Sequence, residues 1–310
     1  LSVSTGNNNV AVGQNALLSS VTTAQWNTAV GTGALRGINS PAAQSNTAVG
    51  FESMTGTGNI SNCVAIGYHA LFQNRANNST AIGYNALQGN TTQFGNTAVG
   101  WSAINNSSGS NITALGYEAA FNSTGSNNTC LGYQAGRFVN GGNNNTFVGF
   151  QNGNATTGSN NTSIGFQAQV PVAGGSNQVR IGNGAVNYAG VQVGWSITSD
   201  YRFKTNTQSS TLGLDFIKTL RPVSYFRNND KSKKTEYGFI AQEVEAALNM
   251  HGDANNGIIS KDDAGMYAVR YNDFISISVK AIQEQQVLIE ELQKTNAALL
   301  KRLEILEEKK

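Results

Sequence analysis

Eleven glycines recur at intervals of 16 to 19 residues through the first part of this chain: Gly13, Gly31, Gly50, Gly67, Gly83, Gly100, Gly116, Gly132, Gly149, Gly165 and Gly182. The residue just before each is Val, Ile or Leu (Val12, Val30, Val49, Ile66, Ile82, Val99, Leu115, Leu131, Val148, Ile164, Ile181). Three before, it is always β-branched (Val10, Thr28, Thr47, Val64, Thr80, Thr97, Thr113, Thr129, Thr146, Thr162, Val179), and Ala stands between the two in the first seven repeats. Period-two alternation over so short a run reads as a strand. A period below twenty residues is too short for a helical repeat and fits one coil of a parallel β-roll: strand, turn, second short strand, return. Asn most often stands four before the glycine (Asn9, Asn27, Asn46, Asn96, Asn128, Asn145, Asn161), and the Asn and Gly clusters supply turns with positive φ. Aromatics after the glycine (Phe51, Tyr68, Tyr84, Trp101, Tyr117, Tyr133, Phe150, Phe166) form a further ladder, on the side of the aliphatic column if the strand continues.

Eleven coils at about 4.8 Å make a rod of roughly 50 Å. Each coil has little apolar side chain, a composition that by itself leans toward disorder. The regular columns argue for order, so the expectation is a trimer in which several rolls share one interior and no copy has a core alone. Charge is sparse here. Of 20 Lys and Arg only Arg36, Arg75, Arg137 and Arg180 precede Ser199, and of 18 Asp and Glu only Glu52 and Glu118. Both parts are near neutral, which leaves no basic footprint for nucleic acid.

No apolar run reaches membrane-spanning length, and no charged-then-apolar leader stands at the start. The chain opens in mid-pattern at Leu1-Ser2-Val3, as though sequence preceded it. Cys63 and Cys130 lie four repeats apart, about 19 Å by stacking and too far to bridge, so they read as buried thiols. Glu52 and Glu118 are separated by the same count of coils, whereas a glycan-cleaving site wants two carboxylates within about 10 Å. His69 reads as a solvated loop residue, and no metal cluster or cofactor site is legible. The repeats therefore read as structural or adhesive.

From Ser199 the pattern changes to a charged, mixed α/β domain. Helices are expected over 212–220 and 241–248, and strands over 223–226, 237–240 and 267–271, with Asn272 or Asp273 as helix N-cap. A charged hairpin is expected over 228–234. The last segment runs in heptads with Ile275, Ile282, Ile289, Asn296 and Leu303 at a, and Ser278, Gln285, Leu292, Leu299 and Leu306 at d. Five heptads predict a coiled coil, and an amphipathic helix packed on its own domain is the competing reading. The expected division is a repeat shaft over 1–185, a neck over 186–198, an α/β domain over 199–274 and a coiled-coil helix over 275–310.

Two resemblances follow from these residues. The columns Asn46 to Phe51 and Asn78 to Tyr84 resemble the head repeats of trimeric autotransporter adhesins, left-handed parallel β-rolls packed around a threefold axis. The run Ser199-Asp-x-Arg-x-Lys204, then Leu220-Arg-Pro-Val-Ser-Tyr225, then Gly238-Phe-Ile-Ala-Gln-Glu-Val244, then a terminal coiled coil, resembles the self-cleaving intramolecular chaperone of phage tailspikes and tail fibres, best known from endosialidase tailspikes. That resemblance implies a Ser-Lys dyad, Ser199 and Lys204, cutting the Thr198–Ser199 bond. Serine needs a base to take its proton, and lysine is a base only when neutral, which desolvation or a nearby cation promotes. On an extended segment residues five apart face opposite ways, so a bend, or a lysine from a neighbouring chain, must bring the two together. Arg202 is a candidate cationic neighbour or carbonyl polariser, and Asp200 a candidate orienting group. A solvated charged turn is the competing reading of 199–204.

The function these features imply is a virion tail-fibre or spike shaft that binds a host-surface receptor, a glycan among the candidates, with a chaperone that drives trimerisation and then cuts itself away. The alternatives are a cellular trimeric surface adhesin with the same tail, or the stem of a glycan-degrading spike whose catalytic domain lies upstream. The expected partners are further copies of the chain and that receptor; no cofactor is expected.

Overall fold

The computed structural model describes residues 6–18, 23–37, 43–56, 60–73, 75, 77–89 and 93–308. The expected shaft and terminal helix thus overrun the described residues at 1–5 and 309–310. The chain divides into two compact units, Leu1–Val186 and Asn187–Lys310.

The first unit is a parallel β-solenoid. Eleven three-residue strands follow one another in chain order: β1 Val10–Val12, β2 Thr28–Val30, β3 Thr47–Val49, β4 Val64–Ile66, β5 Thr80–Ile82, β6 Thr97–Val99, β7 Thr113–Leu115, β8 Thr129–Leu131, β9 Thr146–Val148, β10 Thr162–Ile164 and β11 Val179–Ile181. Each pairs with the next in one sheet, in register, so that Thr80, Ala81 and Ile82 face Thr97, Ala98 and Val99. The middle residue of each strand points inward; Ala29, Ala48, Ala65, Ala81, Ala98 and Ala114 are fully buried.

The glycine after each strand makes the corner. Gly83 has φ +132°, and a Cβ placed there would lie 2.5 Å from the Gly100 carbonyl oxygen of the next coil. Only glycine takes this backbone and permits this approach. We expect Gly83→Ala to destabilise the solenoid by about 3 kcal/mol, from backbone strain and overpacking together. A chemical-denaturation midpoint that did not move would contradict the corner's role.

Beyond the corner the expected second short strand is absent. Positive φ recurs at every second residue, as at Gly83, Asn85 (φ 53°) and Leu87 (φ 52°), giving a wound run of turns. Its amides bond in both directions along the stack: Asn85 N–H to Tyr68 O (3.0 Å) and Leu87 N–H to Ala103 O (2.9 Å). This geometry turns two consecutive side chains inward, which a pleated strand cannot do. Ala86 and Leu87 are both fully buried, as are Ala34 and Leu35, Ala70 and Leu71, and Ala103 and Ile104.

The single chain therefore encloses its own core, contrary to the expectation of an interior that exists only when several copies meet. The alanine column and the Ala-Leu pairs close on each other with little volume, so short coils suffice. Both cysteines lie inside, and burial pushes the Cys130 thiol up to about 12.

Asparagine forms the second interior column. Asn145 accepts the Asn161 N–H on Oδ1 (2.8 Å) and donates from Nδ2 to Gly158 O (3.1 Å), so both ends of the buried amide have a partner. Asn128 does the same with Asn145 N–H (2.8 Å) and Gly142 O (2.9 Å), and Asn27, Asn46, Asn96 and Asn161 continue the column. In the later coils a second asparagine (Asn127, Asn144, Asn160) stands just before the interior one, and its place is different. Asn144 and Asn160 sit exposed in the left-handed region, with Asn144 Nδ2 3.1 Å from Asn160 Oδ1.

Two of the outward-facing rows are apolar. The third strand residue is half-buried or exposed, Ile66, Ile82, Leu115 and Ile164 among the exposed ones. The eight aromatics stack on one another with centroids 4.7 to 5.9 Å apart and near-parallel planes.

The second unit holds α1 (Leu214–Thr219), the hairpin β12 (Val223–Tyr225) and β13 (Glu236–Gly238), α2 (Ala241–Met250), the hairpin β14 (Ile259–Lys261) and β15 (Tyr267–Val269), and α3 (Asp273–Glu307). The expected elements are present with ends displaced by one to two residues; β14 was not anticipated. Leu212, Phe216, Val244, Leu248, Ile258, Phe274 and Ile277 form its core. The start of α3 departs from the heptad reading. Phe274, Ile277 and Ala281 are the buried stripe, and Ile275, assigned to position a, is exposed. From Ile282 onward Ile289, Leu292, Leu299, Leu303 and Leu306 all stand exposed along one seam.

Candidate self-processing site

Asp200 starts the local structure. Its backbone is extended (φ −65°, ψ 139°) and its Oδ1 accepts the Arg202 N–H at 2.8 Å, capping a 3-10 turn over Tyr201–Phe203. The turn closes through Phe203 N–H to Asp200 O (3.1 Å) and Lys204 N–H to Tyr201 O (2.9 Å). Arg202 then folds back on its own cap, with Nε 3.0 Å from Oδ1 and Nη2 2.7 Å from Oδ2 of Asp200. This pairing holds the Asp200 carboxyl below the usual carboxylate range and raises the guanidinium. Aspartate thus orients the arginine, and the arginine is committed to the turn.

The turn reverses the chain within five residues and sets Lys204 Nζ 2.7 Å from Ser199 Oγ. A bend within one chain is therefore enough to join the two side chains, without a lysine from a neighbour. Ser199 and Lys204 are both exposed, as are Thr198, Tyr201 and Phe203. The segment carries a hydroxyl and an amine in hydrogen-bond reach, beside an ion pair that stiffens the loop.

The other motif segments meet each other. Arg221, just after α1, makes a bidentate pair with Glu243 of α2, with Nε 3.1 Å from Oε2 and Nη2 against Oε1. Phe239 packs on Phe274 with ring centroids 5.2 Å apart, and its N–H donates to Tyr271 Oη at 3.0 Å. The first amide of α1, that of Leu214, is capped from afar by Glu284 Oε2 of α3 at 2.7 Å. That bond is the largest cause of the lowered Glu284 carboxyl.

Residues 199–253 match the chaperone of endosialidase family. The match starts at Ser199 and stops short of β14, β15 and α3. The chaperone of endosialidase is an autocleaving intramolecular chaperone, and together with the β-solenoid it points to a spike- or fibre-type protein. No curated protein and no solved structure shows significant similarity to the chain.

The charged residues of the repeats do structural work. Glu52 pairs with Arg36 (3.0 Å) and His69 (3.2 Å), so His69 is engaged with its neighbours rather than solvated. Glu118 is buried against Arg137 (2.8 Å) and receives Gln134 Nε2 (2.8 Å). These contacts join neighbouring coils. Among the described residues no group of His, Cys, Asp and Glu is placed to hold a metal ion, and no helix is long and apolar enough to cross a membrane.

The interior asparagine column and the Arg221–Glu243 pair escaped sequence reading. For the first, the signal was present: two adjacent asparagines before the strand, as in Asn127-Asn128 and Asn144-Asn145, need two environments. For the second, charges so far apart in sequence carry no local pattern.

Proposed function

We propose that this chain is a phage-type tail-fibre or spike shaft whose C-terminal segment gathers three copies, guides their folding and then cuts itself away at Thr198–Ser199. Ser199 is the nucleophile and Lys204 the base. The observation that carries this reading is the 2.7 Å approach of Lys204 Nζ to Ser199 Oγ at the first residue of the matched segment.

The chemistry balances within the chain and one water. Neutral Lys204 takes the Ser199 hydroxyl proton as Oγ adds to the Thr198 carbonyl carbon. The C–N bond breaks, the proton passes to the Ser199 nitrogen, and the Thr198 acyl group is left as an ester on Ser199. Water then hydrolyses the ester to a Thr198 carboxylate and a shortened tail with a new α-amine. A neutral lysine requires desolvation, and Lys204 is exposed in the single chain. Cover from a second copy would supply it, so cutting would report assembly.

Three copies are favoured by the surfaces described above. The solenoid turns an uncharged face of Thr, Val, Ile and Leu outward over eleven coils, and α3 leaves its seam from Ile282 to Leu306 unburied. Helices that meet along that seam as a coiled coil would raise the local concentration of slow-folding parallel coils. Once the tail is gone the rod would persist by its unfolding barrier. The cleaved rod faces the host as part of the virion, with a host-surface receptor as partner. The aromatic ladder is a poor sugar platform, because its ring faces are already covered by one another.

Intact mass and sedimentation of the purified full-length protein test this. The expected products are fragments 1–198 and 199–310, with the rod in threes. A single uncut mass, or a cut rod that sediments as one chain, would overturn it.

A further inference from the structure

Between the solenoid and the 3-10 turn lies a segment that has the pattern of a strand and no partner. In Val191-Gln-Val-Gly-Trp-Ser-Ile-Thr198 every second residue is large and β-branched or aromatic, and those between are small or polar. That alternation is the signature of a half-buried strand. Yet no strand or helix is formed from Asn187 to Asp200, and no residue from Asn187 to Thr198 makes a hydrogen bond within the chain. The apolar row is open to water: Val193 is 79% exposed, Trp195 77% and Ile197 68%.

Such a row is unfavourable in isolation, since each side chain would gain about 1.5–3 kcal/mol by burial. Its solvated backbone groups are also free to pair with another strand. We propose that residues 191–197 pair between copies of this chain as an inter-chain β-strand, with Val191, Val193, Trp195 and Ile197 turned toward the threefold axis, and that this pairing licenses cleavage at Thr198–Ser199. The proposal rests on the trimer of the preceding subsection and assigns it a segment.

A second copy fits better than a foreign partner for two reasons. First, no charged side chain stands between Arg180 and Asp200, so identical strands approach without repulsion. Second, the area suits three copies: with an aromatic offering 150–250 Å², the four side chains present on the order of 500 Å² per copy. Three copies would bury about 1,500 Å², the size of a specific interface. The link to chemistry is positional. A strand that ends at Thr198 fixes the backbone whose carbonyl Ser199 must attack, converting an unpaired amide into an aligned one.

The test uses the full chain with one substitution at a time. Val193→Cys should form covalent dimers on mild oxidation, seen on non-reducing denaturing gels, whereas Ser196→Cys on the opposite row should not. Trp195→Asp should slow appearance of the 199–310 fragment at least tenfold, and Ser196→Asp should leave it at the wild-type rate. If Val193→Cys stays unlinked in trimers that are cut normally, or Trp195→Asp is cut at full rate, the inter-chain strand is wrong while the trimeric self-cleaving rod stands. A wild-type protein that sediments as a monomer would remove both.

Discussion

Ser199→Ala should leave the 310-residue chain whole, with cleavage slowed by roughly 10⁴-fold or more, as loss of a nucleophile does elsewhere. Lys204→Ala should be equally silent, because the hydroxyl then has no base within reach. Lys204→Arg is the sharper variant. It preserves charge and length but places a guanidinium that stays protonated beside Oγ, so it too should remain uncut. Arg202→Ala should be milder, about tenfold slower, since it removes the clamp on Asp200 and not the reacting atoms. Denaturing gels and intact mass over time read all four. Efficient processing of Lys204→Arg would show that Lys204 acts only as a positive charge, and processing of Ser199→Ala would end the serine mechanism.

The pH dependence of that loop has a definite sign. The Asp200 carboxyl is held below its ordinary value, chiefly by the Arg202 side chain. Its contribution to the turn is complete above the ordinary carboxylate pKa and is lost only as pH falls through the lowered value. A loss of cleavage near neutral pH would therefore not come from Asp200.

The solenoid was legible because its constraint is periodic. A glycine that must approach the next glycine's carbonyl recurs once per coil, and so does the small residue that points inward. The mistakes came from reading every alternation as a pleat. Leucine and methionine at Leu87 and Met54 hold positive φ (52° and 54°), a conformation that no propensity assigns to them. They are kept there by burial, and the interior they fill is what the composition concealed. Four kinds of small contribution, the alanines, the turn leucines, the asparagine amides and the inter-coil ion pairs, replace the large side chains whose scarcity had suggested a shared core. In the second unit the motifs singled out Ser199 and Lys204, but nothing local foretold that a 3-10 turn, capped by Asp200, would bring their side chains together. Nor could heptads foretell that Phe274 and Ile277 would be taken by the domain core before the seam begins.

The strongest test of the self-contained interior is a pair of positions whose sizes trade. Through most coils a small strand residue faces a large turn residue, as Ala81 faces Leu87. At β9 the order reverses: the strand carries Phe147, fully buried, and the turn residues are Gly136 and Gly153. A Cβ at Gly153 would strike the Phe147 ring, so the glycine is there to make room. Phe147→Ala should cost about 3–5 kcal/mol, because no neighbour can fill the void. Gly153→Leu alone should cost about 1–3 kcal/mol by overpacking. Together they should recover much of the loss, since Gly153 has φ +65° and Leu87 already accepts φ 52° at the matching place. The coupling expected between them is about 2 kcal/mol, read from denaturation midpoints of the two single variants and the double. Were the interior instead built between copies, the two substitutions would add without compensation, and the core would have to be sought across chains.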